Sequence, residues 1–287
     1  MDLATTKALL RQHRVRPNKL RGQNFLVSDR AAGKIVEAAD IRPEETVLEI
    51  GPGLGALTSG LLDRARRVVA VEIDRRLCQV LHDRFGGRSS LEIIHGDFLD
   101  VDLFPLAGQA GAGELKIVGN LPYQITGQAV RRILDHLHLL AGAVITVQRE
   151  VANRMVAGPG GKTFGILSVA TQVLSRPEPV LRLAREAFYP RPQITSTVVR
   201  LVPRPDPPVA IDDQGFFFTV VKALFGHRRK TIRNALRAHP DLCSDNHVLA
   251  ELSRRAGVDL GRRAETMSLE ELGRLSNTLG ALRHAES

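Results

Sequence analysis

EIGPGLGA, residues 49–56, decides how this chain is read. It continues an apolar, β-branched run, TVLEIG (46–51), which has the length of a buried strand. Gly51, Gly53 and Gly55 let the backbone turn sharply and lie close to a ligand. A strand entering such a turn, with helical sequence leaving from about Gly55, opens a doubly wound α/β fold whose ligands bind at the carboxyl ends of the strands. By itself the turn admits three readings. Gly51-x-Gly53-x-x-Ala56 fits the dinucleotide fingerprint, another adenosine-containing cofactor needs the same close backbone, and a tight turn can serve no ligand at all.

Working outward, RRVVAVEID (66–74), LEIIHGD (91–97), ELKIVGN (114–120) and AGAVITVQ (141–148) read as further strands. Between them lie helical patterns: RRLCQVLHDRF, residues 127–138, and REVANRMVA. Ser28 caps a helix running to about Ala39, and GQAGAG (108–113) reads as a surface loop. Strands alternating with helices mean a parallel sheet covered on both faces. Past Ser175 the pattern changes, and PVLRLAREAF and ITSTVVRLV predict an antiparallel edge. VPRPDPPVAIDD (202–213) holds four prolines and no periodicity, and so reads as a linker. FFFTVVKALF, TIRNALRA, NHVLAELSRRA and SLEELGRLSNTLGAL follow as helices. The expected organisation is a basic helix and loop over 1–27, a catalytic domain over 28–201, the linker, and a helical domain over 214–287.

The composition narrows the function. Of 287 residues, 43% are hydrophobic, and no apolar run approaches the ~20 residues that span a bilayer. The first residues, MDLATTKALLRQHR, lack a signal-peptide core and read as a short helix of a cytoplasmic protein. Cys78 and Cys243 are the only cysteines, too few for a disulfide framework or a zinc site, and the nine histidines show no metal spacing. His136 and His138 are expected on different sides of a helix. A net charge of +9 points to a polyanionic partner.

Acids recur at the next strand ends: Glu72 closes the second strand and Asp97 the third. The first suits the two hydroxyls of a ribose. The second can accept a hydrogen bond from an adenine amino group. NAD and S-adenosylmethionine both contain adenosine. Diphosphate favours a helix N-terminus and basic donors, whereas a sulfonium cofactor tolerates acids, and Glu49 adds a third. The balance leans to S-adenosylmethionine, with no metal.

NLPY (120–123) ends the fourth strand and offers no Ser, Cys or His to attack a substrate. Methyl transfer to an adenine amine needs none. That lone pair is delocalised into the ring, and acceptors aimed at the N–H bonds turn it toward the methyl group. The Asn120 side-chain oxygen and the Leu121 carbonyl can do so, Pro122 stiffens the turn, and the Tyr123 ring gives the base a stacking face, for which the hydroxyl is not needed.

With these residues in view, the chain resembles the ribosomal RNA adenine N6,N6-dimethyltransferases of the KsgA type nearly end to end. The matching stretches are GQNFL (22–26), EIGPGLGALT (49–58), VEID (71–74), GDFLD (96–100), NLPYQI (120–125), VQREVANRMVA (147–157), GKTFGILSV (161–169), FYPRPQITS (188–196) and RRKTIRNAL (228–236). Ile194 stands where valine is usual, and Leu20-Arg21 precede GQNFL where other pairs are common. The resemblance implies a class I S-adenosylmethionine-dependent methyltransferase, Rossmann-like, with a mostly parallel seven-stranded sheet and a small all-helical C-terminal domain. It implies four methyl transfers to two adjacent adenosines in a hairpin near the 3′ end of 16S rRNA, within the immature small ribosomal subunit. It also implies that Asn24, Leu26, Gly51, Glu72, Asp97 and Asn120 contact the cofactor, and that Phe188 stacks on the target base opposite Tyr123. The expected enzyme is monomeric.

In HRRKTIRNALR (227–237), helical spacing predicts Arg229, Arg233 and Arg237 along one stripe, with Arg228 and Lys230 beside it, for phosphate contacts. A second basic group, Arg11, Arg14, Arg16, Lys19 and Arg21, leads into GQNFL and is a candidate to order on RNA or cofactor. Two rival functions use the same parts: a 23S rRNA adenine dimethyltransferase of the macrolide-resistance type, and a small-subunit assembly factor acting mainly by binding. RRKTIRNAL and the long helical C-terminus argue against the first. An NAD-dependent oxidoreductase needs neither NLPY nor the basic stripe.

Overall fold

A computed structural model of the chain describes residues 1–18, 22–227, 229–239, 242 and 245–286. Arg228, Lys19, Arg21 and Cys243 lie outside the described residues. Helix α1 (Leu3–Gln12) starts on Asp2, whose carboxylate accepts from the Thr5 N–H, and is followed by the short strand β1 (Phe25–Leu26). Ser28 caps α2 (Asp29–Ala38) by accepting from the Ala31 N–H. The alternating part then runs β2 (Thr46–Ile50), α3 (Thr58–Leu62), β3 (Arg67–Glu72), α4 (Arg75–Phe85), β4 (Leu91–His95), α5 (Leu103–Ala110), β5 (Leu115–Asn120), α6 (Thr126–Asp135) and β6 (Leu140–Gln148). After α7 (Arg149–Met155) and α8 (Ile166–Leu174) come β7 (Ser175–Leu183), β8 (Phe188–Tyr189) and β9 (Ser196–Pro203). Helices α9 (Gln214–Gly226), α10 (Ile232–Arg237), α11 (Asn246–Ala256) and α12 (Leu269–Glu286) complete the chain.

Seven strands form one sheet in the order β4-β3-β2-β5-β6-β9-β7. The first five are parallel, and β9 is antiparallel to β6. β2 is buried along its whole length, as expected of a parallel strand covered on both faces. Ile35, Val36 and Leu61 from the helices pack with Val47, Val118, Val144 and Val198 of the strands. A dinucleotide fold continues 3-2-1-4-5 with a sixth parallel strand. Here the last strand, β9, instead enters antiparallel between β6 and β7, the mostly parallel seven-stranded arrangement of a class I methyltransferase.

The chain forms two compact units: Met1–Ala152 with Arg176–Pro203, and Asn153–Ser175 with Arg204 onward. This corrects the domain boundary read from sequence, which assigned 153–175 to the sheet domain. Phe164, Val169 and Val173 belong to the helical core with Phe217, Val221 and Phe225, and the Phe164 and Phe225 rings meet edge to face at 5.8 Å. Long-range packing of that kind leaves no local mark in the sequence.

Two further expectations change. Much of the stretch read as the loop 108–113 is helical, because α5 extends to Ala110. Asp102 caps it by accepting from the Phe104 N–H, and Pro105 sits in the first turn, where its missing N–H costs no helical bond. His136 and His138 do not diverge. A 3-10 turn over Leu137–Leu139 brings both rings to Phe104, at 5.8 and 6.4 Å.

Candidate functional site

β2 lies between β3 and β5, so the order of the sheet reverses there and a crevice opens beyond the strand ends. A cleft of about 220 Å3 occupies it. Its wall includes Gly51 and Gly53 after β2, Glu72 at the end of β3, Asp97 after β4, and Asn120, Leu121, Pro122 and Tyr123 at the end of β5. Asn24 and Leu26, which the resemblance implied through GQNFL although no strand-end pattern marks them, close it. β1 pairs antiparallel with β8, Leu26 opposite Phe188, and this holds the GQNFL segment over the glycine turn. Gly51 and Gly53 have φ of +59° and +60°. Glycine suits the φ at Gly53, and a Cβ there would stand a tight 3.1 Å from the Phe25 ring. The helix after the turn begins at Thr58, later than the Gly55 expected.

Glu72 is 4% exposed, and both its oxygens already accept backbone bonds, Oε2 from Gly53 N–H and Oε1 from Asp74 N–H, each at 3.0 Å. It therefore shapes the glycine turn as well as facing the cleft. Burial holds its carboxyl above the usual range despite those donors. Asp97 caps a 3-10 turn by accepting from Leu99 N–H at 2.9 Å.

Glu49 is 1% exposed, and burial, with Glu72 nearby, pushes its carboxyl up to about 8, against the hydrogen bond it accepts from the Thr58 hydroxyl at 2.7 Å. The folded protein therefore keeps a proton on Glu49 that the unfolded chain releases above the ordinary glutamate range. Its contribution to stability is greatest below pH 4.5 and is lost progressively as pH rises toward about 8. In cofactor-free protein, Glu49→Gln is expected to flatten the fall of thermal midpoint over that window. A variant whose midpoint falls with pH as steeply as before would show that Glu49 is not the titrating group.

Asn120 is fixed by its amide. Nδ2 donates to the Asn24 carbonyl at 2.9 Å, leaving Oδ1 as the free acceptor, and among the described residues none donates to it. The turn is pinned by Leu121 N–H on the Thr146 carbonyl at 3.2 Å and by the Thr126 hydroxyl on the Pro122 carbonyl at 3.0 Å. Burial raises the Tyr123 phenol above its ordinary range, so it stays neutral near pH 7 and is unsuited to act as a base. Its hydroxyl lies 2.7 Å from Ser196 Oγ, a contact the sequence reading did not foresee.

Phe188 is the predicted site residue the structure keeps out of the cleft lining. Paired with Leu26, it is 4% exposed and packs with Leu26, Leu183 and Val198 in the core. The basic stripe is also shorter than predicted. Thr231 caps α10, so Arg229 and Lys230 precede the helix, and only Arg233 and Arg237 are on it. Ile232, Ala235 and Leu236 are buried beneath them.

Whether the cleft suits an adenosine dinucleotide or a sulfonium cofactor follows from its chemistry. Among the described residues lining it, none carries a Lys, Arg or His side chain, whereas Glu49, Glu72 and Asp97 all do line it. A diphosphate would meet acids and no cationic side chain; a sulfonium and an ammonium group find carboxylates at Glu72 and Asp97, with Glu49 adding a protonated carboxyl. Sheet order and cleft together are those of a class I methyltransferase that uses S-adenosylmethionine. Its reaction is narrowed by comparison with known proteins, since residues 15–279 match the model of the family described as ribosomal RNA adenine dimethylase. The chain belongs to that family. It is 45% identical over 280 residues to the ribosomal RNA small subunit methyltransferase A of Moorella thermoacetica, covering 96% of both chains. It is 43% identical over 282 residues to the protein of the same name from Pelotomaculum thermopropionicum, covering 96% of this chain and 95% of that one. Among solved structures it superposes on the 23S rRNA methyltransferase ErmE with a TM-score of 0.70 at 29% identity, over 90% of this chain and 100% of that one. A dimethyladenosine transferase from Plasmodium falciparum shares the fold, with a TM-score of 0.71 at 22% identity, over 89% of this chain and 98% of that one.

Proposed function

We propose that this enzyme methylates N6 of two adjacent adenosines in a hairpin near the 3′ end of 16S rRNA, to N6,N6-dimethyladenosine, as a cytoplasmic monomer acting on the immature small subunit. The observation that carries the choice of subunit is the 45% identity, along 96% of both chains, to a small-subunit methyltransferase, against 29% to a 23S enzyme. Among the described residues no helix is long and apolar enough to cross a membrane.

In this reading Glu72 accepts from the ribose, Asp97 from the adenine amino group, and Asn24, Leu26, Gly51, Gly53 and Asn120 complete the cofactor site. When bound, S-adenosylmethionine supplies an electrophilic methyl group. Asn120 Oδ1 and the Leu121 carbonyl accept from the target amine and turn its lone pair toward that group, and the base, drawn from its stack, lies on the Tyr123 ring. A stacking role for Phe188 rests on its motif alone; its place beside Leu26 supports that cofactor contact instead. Methylation of immature small subunits, with the modified nucleotides mapped, tests the assignment. Modification confined to large-subunit RNA would overturn it.

The basic residues Arg229, Lys230, Arg233 and Arg237, with Arg228, are the proposed phosphate contacts. Replacing Arg233 and Arg237 with glutamine is expected to weaken subunit binding and to flatten its salt dependence by roughly one slope unit per lost contact. Affinity for S-adenosylmethionine should stay the same. An unaltered salt slope in the double variant would identify these arginines as a solvated face.

A further inference from the structure

FYPRPQITS ends in Ser196, a residue the catalytic reading leaves without work. It stands in β9 opposite Gln148 of β6 and is 1% exposed. Just before it, the Thr195 carbonyl accepts from Arg149 N–H at 3.1 Å, so the start of β9 is tied to the sheet. Its hydroxyl meets the Tyr123 hydroxyl at 2.7 Å. Tyr123 is half-buried, and the turn that carries it is fixed separately, by Leu121 N–H on the Thr146 carbonyl and the Thr126 hydroxyl on the Pro122 carbonyl. The side chain is thus held at both ends: Cα by the turn after β5, and the phenol oxygen by β9, two strands away in the sheet. A hydrogen bond at the far end of the side chain selects one χ1 rotamer and so fixes where the ring lies; the oxygen itself stands on the axis about which the ring turns.

We propose that Ser196 is a positioning residue for Tyr123, and that the ring position it sets matters most for the second methyl transfer to each adenosine. The inference rests on the reading that Tyr123 stacks on the target base. In the first transfer the amine presents two N–H bonds to two acceptors, Asn120 Oδ1 and the Leu121 carbonyl. The N6 lone pair forms the new bond to the methyl carbon, the carbon–sulfur bond breaks with its electron pair left on sulfur, and N6 sheds one proton to water. The monomethylated amine keeps a single N–H, so one acceptor loses its donor, while N6 is bulkier and has two rotamers. The same exchange of bonds then removes the last N–H. Orientation in this step depends more heavily on the stacked ring, and a ring free to swing loses more here than in the first.

The test follows mono- and dimethyladenosine over time by mass spectrometry of rRNA nucleosides, at saturating cofactor, on small subunits lacking the modification. Ser196→Ala is expected to leave the first transfer close to the unaltered rate and to slow the second roughly tenfold, so that monomethyladenosine accumulates. Tyr123→Phe removes the same hydrogen bond from the less buried side and should raise the ratio of mono- to dimethyladenosine alike, against the sequence expectation that the hydroxyl is not needed; this keeps the test sound if Ser196→Ala folds poorly. The double variant should be no slower than either single one, and Ser196→Thr, which keeps the hydroxyl, should restore the product ratio. Equal slowing of both transfers, or dimethylation at the unaltered rate in both single variants, overturns the positioning role. Tyr123→Ala separates this from the underlying reading. If it methylates normally, the stacking reading itself fails. If it is slow while Ser196→Ala is normal, only the role of Ser196 falls.

Discussion

Asn120→Ala is expected to slow methyl transfer about a hundredfold, the ~3 kcal/mol typical of an acceptor whose bond strengthens in the transition state. RNA affinity should change little. The structure sharpens the reason. Because Nδ2 is committed to the Asn24 carbonyl, the amide cannot flip, and Oδ1 is presented to the cleft in one orientation. The same bond warns of a side effect: alanine also releases the Asn24 carbonyl and with it the segment that closes the cofactor site. Single-turnover rates at saturating S-adenosylmethionine and saturating RNA therefore carry the test. A variant that transfers methyl at close to the unaltered rate under those conditions would refute the orienting role. A phenolate base at Tyr123 is not the alternative, since burial raises its phenol further above an ordinary value that already lies well above neutral pH.

Glu72→Ala should weaken S-adenosylmethionine binding by about a hundredfold or more, since two ribose hydrogen bonds to a charged acceptor contribute roughly 1.5–3 kcal/mol each. The structure adds a second loss. Alanine also leaves the Gly53 and Asp74 N–H groups without their acceptor, and the first of these sits in the turn the cofactor lies against. Glu72→Gln separates the two, because its amide oxygen can still serve one backbone donor while the charge facing the ribose is gone. Glutamine should fall between alanine and the unaltered enzyme. Calorimetry that finds unchanged affinity in a folded Glu72→Ala protein would refute the ribose contact.

What the sequence by itself determined was local. Continuous apolar runs marked the parallel strands, and Ser28 marked the start of α2. The glycine turn, the acids at Glu72 and Asp97, and NLPY each followed directly on a strand, so their arrival at one edge of a parallel sheet could be read without coordinates. Each rests on neighbours a few residues away. Contacts between distant segments decided the rest. The antiparallel edge was legible as a change of pattern past Ser175, but the place of β9 between β6 and β7 was decided by its pairing with a strand about fifty residues earlier. β1 is two residues long and has no pattern of its own; only its pairing with β8 puts Asn24 against Asn120, 96 positions away. Residues 153–175 join the helical unit because Phe164, Val169 and Val173 find their apolar partners there. Glu49 holds its proton, and Tyr123 finds Ser196, for the same reason. Burial and side-chain direction are set by what the folded chain places around a residue, and much of that comes from segments distant in the sequence.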